Sequence, residues 1–271
     1  MTIFQAILLG IIQGATEFLP ISSSGHLVLV PHLLGWQFPA EQAFLFNVLV
    51  QLGTLLAVIV YFRKDLLAIG RAFIQGLLDR KPLSDPQSKL GWYLILATLP
   101  AGVFGLLYKD QVEMAFTSPH ATAWFLLSTA ALLLIAERAG KRSRSLEEIS
   151  WLDALWSGVF QALALLPGIS RSGATITGGM TRNLERAAAA RFSFLMAVPV
   201  MLAAGVLAMR DLVAIPSLSA FLGPLLAGFV TAALVGYAAI RWLLGYLSRS
   251  PLYGFSIYLV MLSAVLLLWN P

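Results

Sequence analysis

Two short stretches, far apart in the chain, set polar and ionisable side chains in otherwise apolar surroundings. The first runs from Gln13 to His26 and carries a carboxylate at Glu17, hydroxyls at Ser22, Ser23 and Ser24, and an imidazole at His26. Gln13 and Glu17 are four apart, so on a helix they share one face, an arrangement that suits two oxygen ligands to a hard cation. Pro20 ends that helix. Ser22 is then the expected N-cap of the next one, which leaves Ser23 and His26 on adjoining turns of one face. A hydroxyl beside a base can become a nucleophile, so the pair reads as Ser23 attacking while His26 takes its proton; direct attack by His26 is the competing reading.

The second stretch, Pro167 to Thr175, opens with a Pro-Gly breaker and continues Ile-Ser-Arg-Ser-Gly-Ala-Thr. Free N–H groups at a helix start carry partial positive charge, Gly173 lets an anion approach them, and Arg171 offers a two-pronged fork to phosphate oxygens. Ser170, Ser172 and Thr175, with Ser22 from the first stretch, could add hydrogen bonds. Singly, each residue has a structural alternative: Glu17 as a paired structural acid, the serines bonded to their own helix backbones, His26 packed, Arg171 snorkelling to headgroups. Together they describe a phosphate site.

The elements that must position these groups are membrane helices. Of 271 residues, 59% are hydrophobic and 11% charged, and the mean hydropathy is +0.83, a balance foreign to water-soluble domains. Residues Ala43 to Phe62, Trp92 to Tyr108, Thr122 to Ala136, Phe192 to Met209, Phe221 to Ile240 and Tyr253 to Trp269 form apolar runs. Each approaches the roughly 17 to 25 residues that a spanning helix needs. The absence of cysteine excludes a disulfide framework, a thiolate metal site and a Cys nucleophile. Met1 to Gln5 carry no Lys or Arg, so no cleaved signal is expected. The net charge of +5 reports on loop orientation, not on nucleic-acid binding.

Fifteen Lys and Arg fall in four clusters, Arg63 to Lys89, Arg138 to Arg144, Arg182 to Arg191 and Arg241 to Arg249, which should face the cytoplasm. The opposite connections hold only Lys109 and Arg210. Two stretches, Ile3 to Leu34 and Leu155 to Met180, are too broken by Gly and Pro to be simple spans, and each is expected to enter the bilayer and turn back. Non-helical backbone at that depth needs protein or a wet cavity around it, so the breaks themselves point to a site. The segments from Gly10 and Gly158 align at a constant offset of 148 through their Gly, Gln and Ser-x-Ser-Gly positions. The expected fold is therefore a single all-α membrane domain of six spans and two re-entrant hairpins in an inverted repeat, with repeats at 1–137 and 151–271 and hairpins at about 3–34 and 155–180. Leu66 to Leu78 suits an interfacial helix. His32 and His120 beside Pro31 and Pro119, the tryptophans 36, 92, 151 and 269, and the acids Glu113, Glu137 and Asp153 read as membrane-boundary residues.

With [EQ]xxxE at Gln13 to Glu17, an SSSGH segment at Ser22 to His26, PGxSRSGAT at Pro167 to Thr175, and FSFLMAVP from Phe192, the chain resembles the undecaprenyl pyrophosphate phosphatase family, also called bacitracin-resistance proteins. Gln13 stands where many members carry Glu. The resemblance implies hydrolysis of undecaprenyl diphosphate to the monophosphate and inorganic phosphate. That activity recycles the cell-wall lipid carrier and gives bacitracin resistance. It also implies a divalent cation, Mg²⁺ or alternatively Ca²⁺, held by Glu17 with Gln13. The expected surroundings are the bacterial inner membrane, with the site reached from the periplasm. Transport of the same carrier is the alternative function, and a homodimer is one assembly the sequence leaves open.

Overall fold

The computed structural model describes residues 1–116, 118–212 and 218–268, without the side chains of residues 40, 41, 44, 113, 119, 207–212 and 218–221. Trp269 lies outside the described residues, and so do the side chains of Glu113 and Arg210. Among the described residues twelve α-helices follow one another: α1 (Ile3–Phe18), α2 (Ser23–Leu33), α3 (Ala40–Tyr61), α4 (Arg63–Leu78), α5 (Pro86–Leu107), α6 (Lys109–Ala115), α7 (Pro119–Ala139), α8 (Trp151–Leu163), α9 (Arg171–Thr181), α10 (Arg186–Leu212), α11 (Leu218–Leu247) and α12 (Tyr253–Leu268).

Their boundaries follow from local chemistry. Thr2 and Gln5 close a capping box on α1, Asp85 caps α5 just before a proline at its first position, and Ser150 with Asp153 boxes α8; each supplies an acceptor to otherwise orphaned first-turn amides. The chain turns extended at Leu19, the conformation that a following proline imposes. Each of the six apolar runs contains the greater part of a helix, α3, α5, α7, α10, α11 and α12, and Leu66 to Leu78 falls on α4.

The chain is an all-helical multi-pass membrane protein. Among the described residues four helices, α5, α7, α10 and α11, are long and apolar enough to cross a bilayer, and a fifth span results if α3 and α4, bent by 80° at Phe62, count as one. The described part of α12 is shorter, at 16 residues. Over its most apolar stretch α5 is only 28% buried within the protein, and Leu106, Leu226, Leu234 and Ile257 point outward. In water such a surface would be a liability; in hydrocarbon it is the solvated face.

Small residues bring the helices together. A Cβ on Gly10 of α1 would lie 2.6 Å from the Gly228 carbonyl of α11, and one on Gly158 of α8 would lie 2.6 Å from the Ala97 carbonyl of α5. Both are backbone-to-backbone approaches of the kind membrane helices use where no hydrophobic force drives them together. At the end of α1, Phe18 meets Phe194 of α10 edge-on at 5.2 Å, and Phe194 also packs near Phe62. These three fully buried rings floor the first hairpin.

Two of the acids expected at the membrane boundary are instead buried hubs of ion pairs. Glu137 accepts from Arg186 and Arg142 and from the Leu252 amide. Asp153 joins Arg182 and Arg144, each at 2.8 Å, and accepts from Ser150. Burial alone would raise the Asp153 carboxyl, but the hydrogen bonds from Arg144, Arg182 and Ser150 outweigh it and lower its pKa to about 2. Hydropathy sees only that these acids sit at helix ends; of the arginines that pair with them, Arg142 and Arg144 are near in sequence, while Arg186 and Arg182 come from 49 and 29 residues away.

Candidate active site

Helix α1 delivers Gln13 and Glu17 on one buried face, where Gln13 Nε2 donates to Glu17 Oε2 at 3.0 Å and reaches Thr54 Oγ1 of α3 at 3.5 Å. Beyond Pro20 the chain reverses through Ser22, whose φ of +68° is an uncommon, strained backbone for a residue with a Cβ. Ser22 Oγ caps α2 by accepting from the Gly25 amide at 3.2 Å, as expected.

The second hairpin repeats the device at the same offset of 148. Ser170 Oγ accepts from the Gly173 amide at 3.1 Å, and the Ser170–Ser172 hydroxyl contact of 3.1 Å matches that of 3.2 Å between Ser22 and Ser24. Gly168 makes the turn at φ +99°, and a Cβ there would lie 2.4 Å from the Thr122 carbonyl, so glycine is required on both conformational and steric grounds.

The hairpin tips touch. The space that a Gly25 side chain would fill lies 3.4 Å from Gly168 Cα, and Ser172 Oγ donates to the Leu19 carbonyl at 3.0 Å. Across this seam Arg171 donates to Glu17 Oε1 at 2.8 Å. On its other oxygen, Glu17 accepts from Ser23 Oγ at 2.5 Å. A guanidinium, a carboxylate and a hydroxyl, the first two 154 residues apart in sequence, thus form one continuous network enclosed by helices.

The expected Ser23–His26 hydrogen bond is not what the structure contains, because both partners are engaged otherwise. Ser23 donates to Glu17, while His26 Nδ1 lies 2.7 Å from the Ser22 carbonyl and Nε2 lies 2.7 Å from the Tyr258 hydroxyl of α12. Tyr258, absent from the residues singled out by sequence, was marked only by a hydroxyl in an apolar run, the polar handle for which a tyrosine facing other helices finds a partner.

The expected phosphate ligands divide by their present partners. Arg171 is partly buried, with a further bond from Nη1 to the Ser193 carbonyl at 3.3 Å. Thr175 bonds the Arg171 carbonyl at 2.7 Å and the Ser193 hydroxyl at 2.6 Å. Thr129 of α7 accepts from the Ser170 amide and donates to the Gly168 carbonyl, both at 2.9 Å. Ser22, Ser170, Ser172, Thr175 and the Gly173 amide therefore hold the shape of the hairpins, the structural role that each serine could also have had. Arg171 is the expected phosphate ligand whose charge is directed at the shared centre.

Among the described residues no three His, Asp or Glu side chains gather as a metal cage. The oxygen set does suit a cation that keeps several waters or substrate oxygens: Glu17 supplies a carboxylate, and Gln13 Oε1, one turn away, is buried with no hydrogen-bond partner. An orphaned carbonyl oxygen in such a place calls for a partner.

Comparison with known proteins identifies relatives along nearly the whole chain. The family model described as bacitracin resistance protein BacA matches residues 6–265. The chain is similar to the undecaprenyl-diphosphatase of Chlorobaculum tepidum, 45% identical over 92% of this chain and 90% of that one. It is likewise similar to that of Chlorobium chlorochromatii, 44% identical over 98% and 96%. The protein of the same name from Myxococcus xanthus is 40% identical over 98% and 89%. A match that runs through both hairpins and nearly the whole length makes this chain a member of the bacitracin resistance protein BacA family.

Proposed function

We propose that this protein is a membrane phosphatase that converts undecaprenyl diphosphate to undecaprenyl phosphate and inorganic phosphate, returning the lipid carrier to peptidoglycan synthesis and conferring bacitracin resistance. The observation that carries the reading is the Arg171–Glu17–Ser23 network joining the two hairpin tips. Relatives named for this activity along nearly the full chain support it, and transport of the carrier, the other function weighed from sequence, has no such support.

In the mechanism we favour, Arg171 exchanges Glu17 for the diphosphate and neutralises its oxygens. Ser23 Oγ attacks the terminal phosphorus while Glu17, already its hydrogen-bond acceptor, takes the proton. The bond to the bridging oxygen breaks and the lipid monophosphate leaves. His26, on the adjoining turn of α2, then takes a proton at Nε2 from the water that cleaves the phosphoserine, and Glu17 returns its proton to Ser23 Oγ as the inorganic phosphate leaves. A divalent cation, Mg²⁺ or Ca²⁺, held by Glu17 and Gln13 Oε1, would add charge neutralisation for the departing phosphate.

The same proposal extends to topology: six spans and two re-entrant hairpins as an inverted repeat of residues 1–137 and 151–271, in the bacterial inner membrane with the site open to the periplasm. Equivalent contacts support it, since Gly10 meets α11 where Gly158 meets α5, each hairpin packing on a span of the opposite half. The basic clusters at residues 63–89, 138–144, 182–191 and 241–249 support a cytoplasmic location for those loops.

The deciding experiment is phosphate release from detergent-purified protein given a polyprenyl diphosphate and Mg²⁺. Arg171→Ala should lower kcat/KM by roughly 100- to 1,000-fold, the usual consequence of removing a donor to transition-state charge. A wild-type protein that stays folded and releases no phosphate would overturn the reading.

A further inference from the structure

We propose that Tyr258 is the positioning residue for His26, holding the lone-pair nitrogen of its ring in place. The inference rests on the phosphatase reading only in placing His26 within the working site; the contact itself is independent of it. A backbone carbonyl can only accept, so the 2.7 Å approach of His26 Nδ1 to the Ser22 carbonyl requires the proton on Nδ1. In the neutral ring Nε2 is then the lone-pair nitrogen, and the Tyr258 hydroxyl at 2.7 Å donates to it.

Both sides of this clamp are rigid. Ser22 is fixed by its cap on Gly25. Two residues before Tyr258, Ser256 Oγ donates to the Ala130 carbonyl of α7 at 2.9 Å and anchors α12. The two rings are also nearly parallel, 7° apart with centroids at 5.9 Å, so the imidazole has little freedom to rotate. The consequence is that Nε2 faces α12. Water or substrate reaches this nitrogen by displacing a tyrosine hydroxyl from the last helix of the chain. Tyr258 is itself 42% exposed.

The test is Tyr258→Phe, which keeps the ring and removes the hydroxyl. In protein whose exposed His32 and His120 have been replaced by Gln, the ¹⁵N resonances of His26 in bilayers at pH 8 should give a protonated Nδ1 and a hydrogen-bonded, unprotonated Nε2. Tyr258→Phe should shift the Nε2 resonance. It should also lower kcat by about tenfold or more with KM within about twofold, as expected of lost orientation at a reacting group. In a His26→Gln background the same substitution should cost nothing further, since the pair acts as one unit.

A proton on Nε2 in the parent protein would overturn the proposal, as would an equal loss of kcat with and without His26. If the wild type releases no phosphate, the phosphatase reading fails, and the ¹⁵N resonances alone then decide for or against the His26–Tyr258 clamp.

Discussion

Glu17 is the residue on which the site converges, accepting hydrogen bonds from Gln13, Ser23 and Arg171. Its charge and its shape can be separated by Glu17→Gln, which keeps the size and leaves Arg171 without a counter-charge. Phosphate release should fall by at least about 100-fold, as the proton acceptor for Ser23 is lost. Stability should fall too, because breaking a buried pair from one side costs on the order of 3 to 5 kcal/mol. Adding Arg171→Met should restore much of the melting temperature and none of the activity, since an apolar residue of similar length removes the stranded charge. Melting curves in detergent beside a phosphate-release assay check both parts.

At the scale of elements, the hairpins are held against spans by glycines that allow backbones to touch. Gly10→Ala and Gly158→Ala should each destabilise by roughly 1 to 3 kcal/mol, because the new methyl would lie 2.6 Å from a carbonyl of the neighbouring helix. Gly70 of α4 has open space where its Cβ would lie, so Gly70→Ala should stabilise by about 0.5 to 1 kcal/mol through helix propensity alone. The opposite signs, read by thermal melting, distinguish close packing from a general effect of removing glycine. Similar losses at Gly10 and Gly158 would reflect the duplicated contact between hairpin and span.

For the whole molecule, the arrangement of charge predicts which loops face which side. The chain contains no cysteine, so single reporters can be introduced without background. Gln37→Cys, in the exposed connection between α2 and α3, should react with a membrane-impermeant maleimide in intact spheroplasts. Ser84→Cys, among the basic residues between α4 and α5, should react only after lysis. Labelling of both from the outside would contradict the proposed inverted topology.

What the sequence determined by itself is what neighbours along the chain decide. The apolar runs located the helices, Gly and Pro marked the two reversals, and Ser22 was legible as a cap because capping depends on an amide three residues away. The shared face of Gln13 and Glu17 followed from helical period alone. Tertiary structure decided which partner each polar group takes. Ser23 could bond His26 by spacing, yet Glu17 lies closer through the fold of the turn; Arg171 reaches it from 154 residues away; and Tyr258 meets His26 across 232. Glu137 and Asp153 became buried hubs for the same reason. A hydrogen bond has many candidates in one dimension, and the close packing of small residues in three leaves only one within reach.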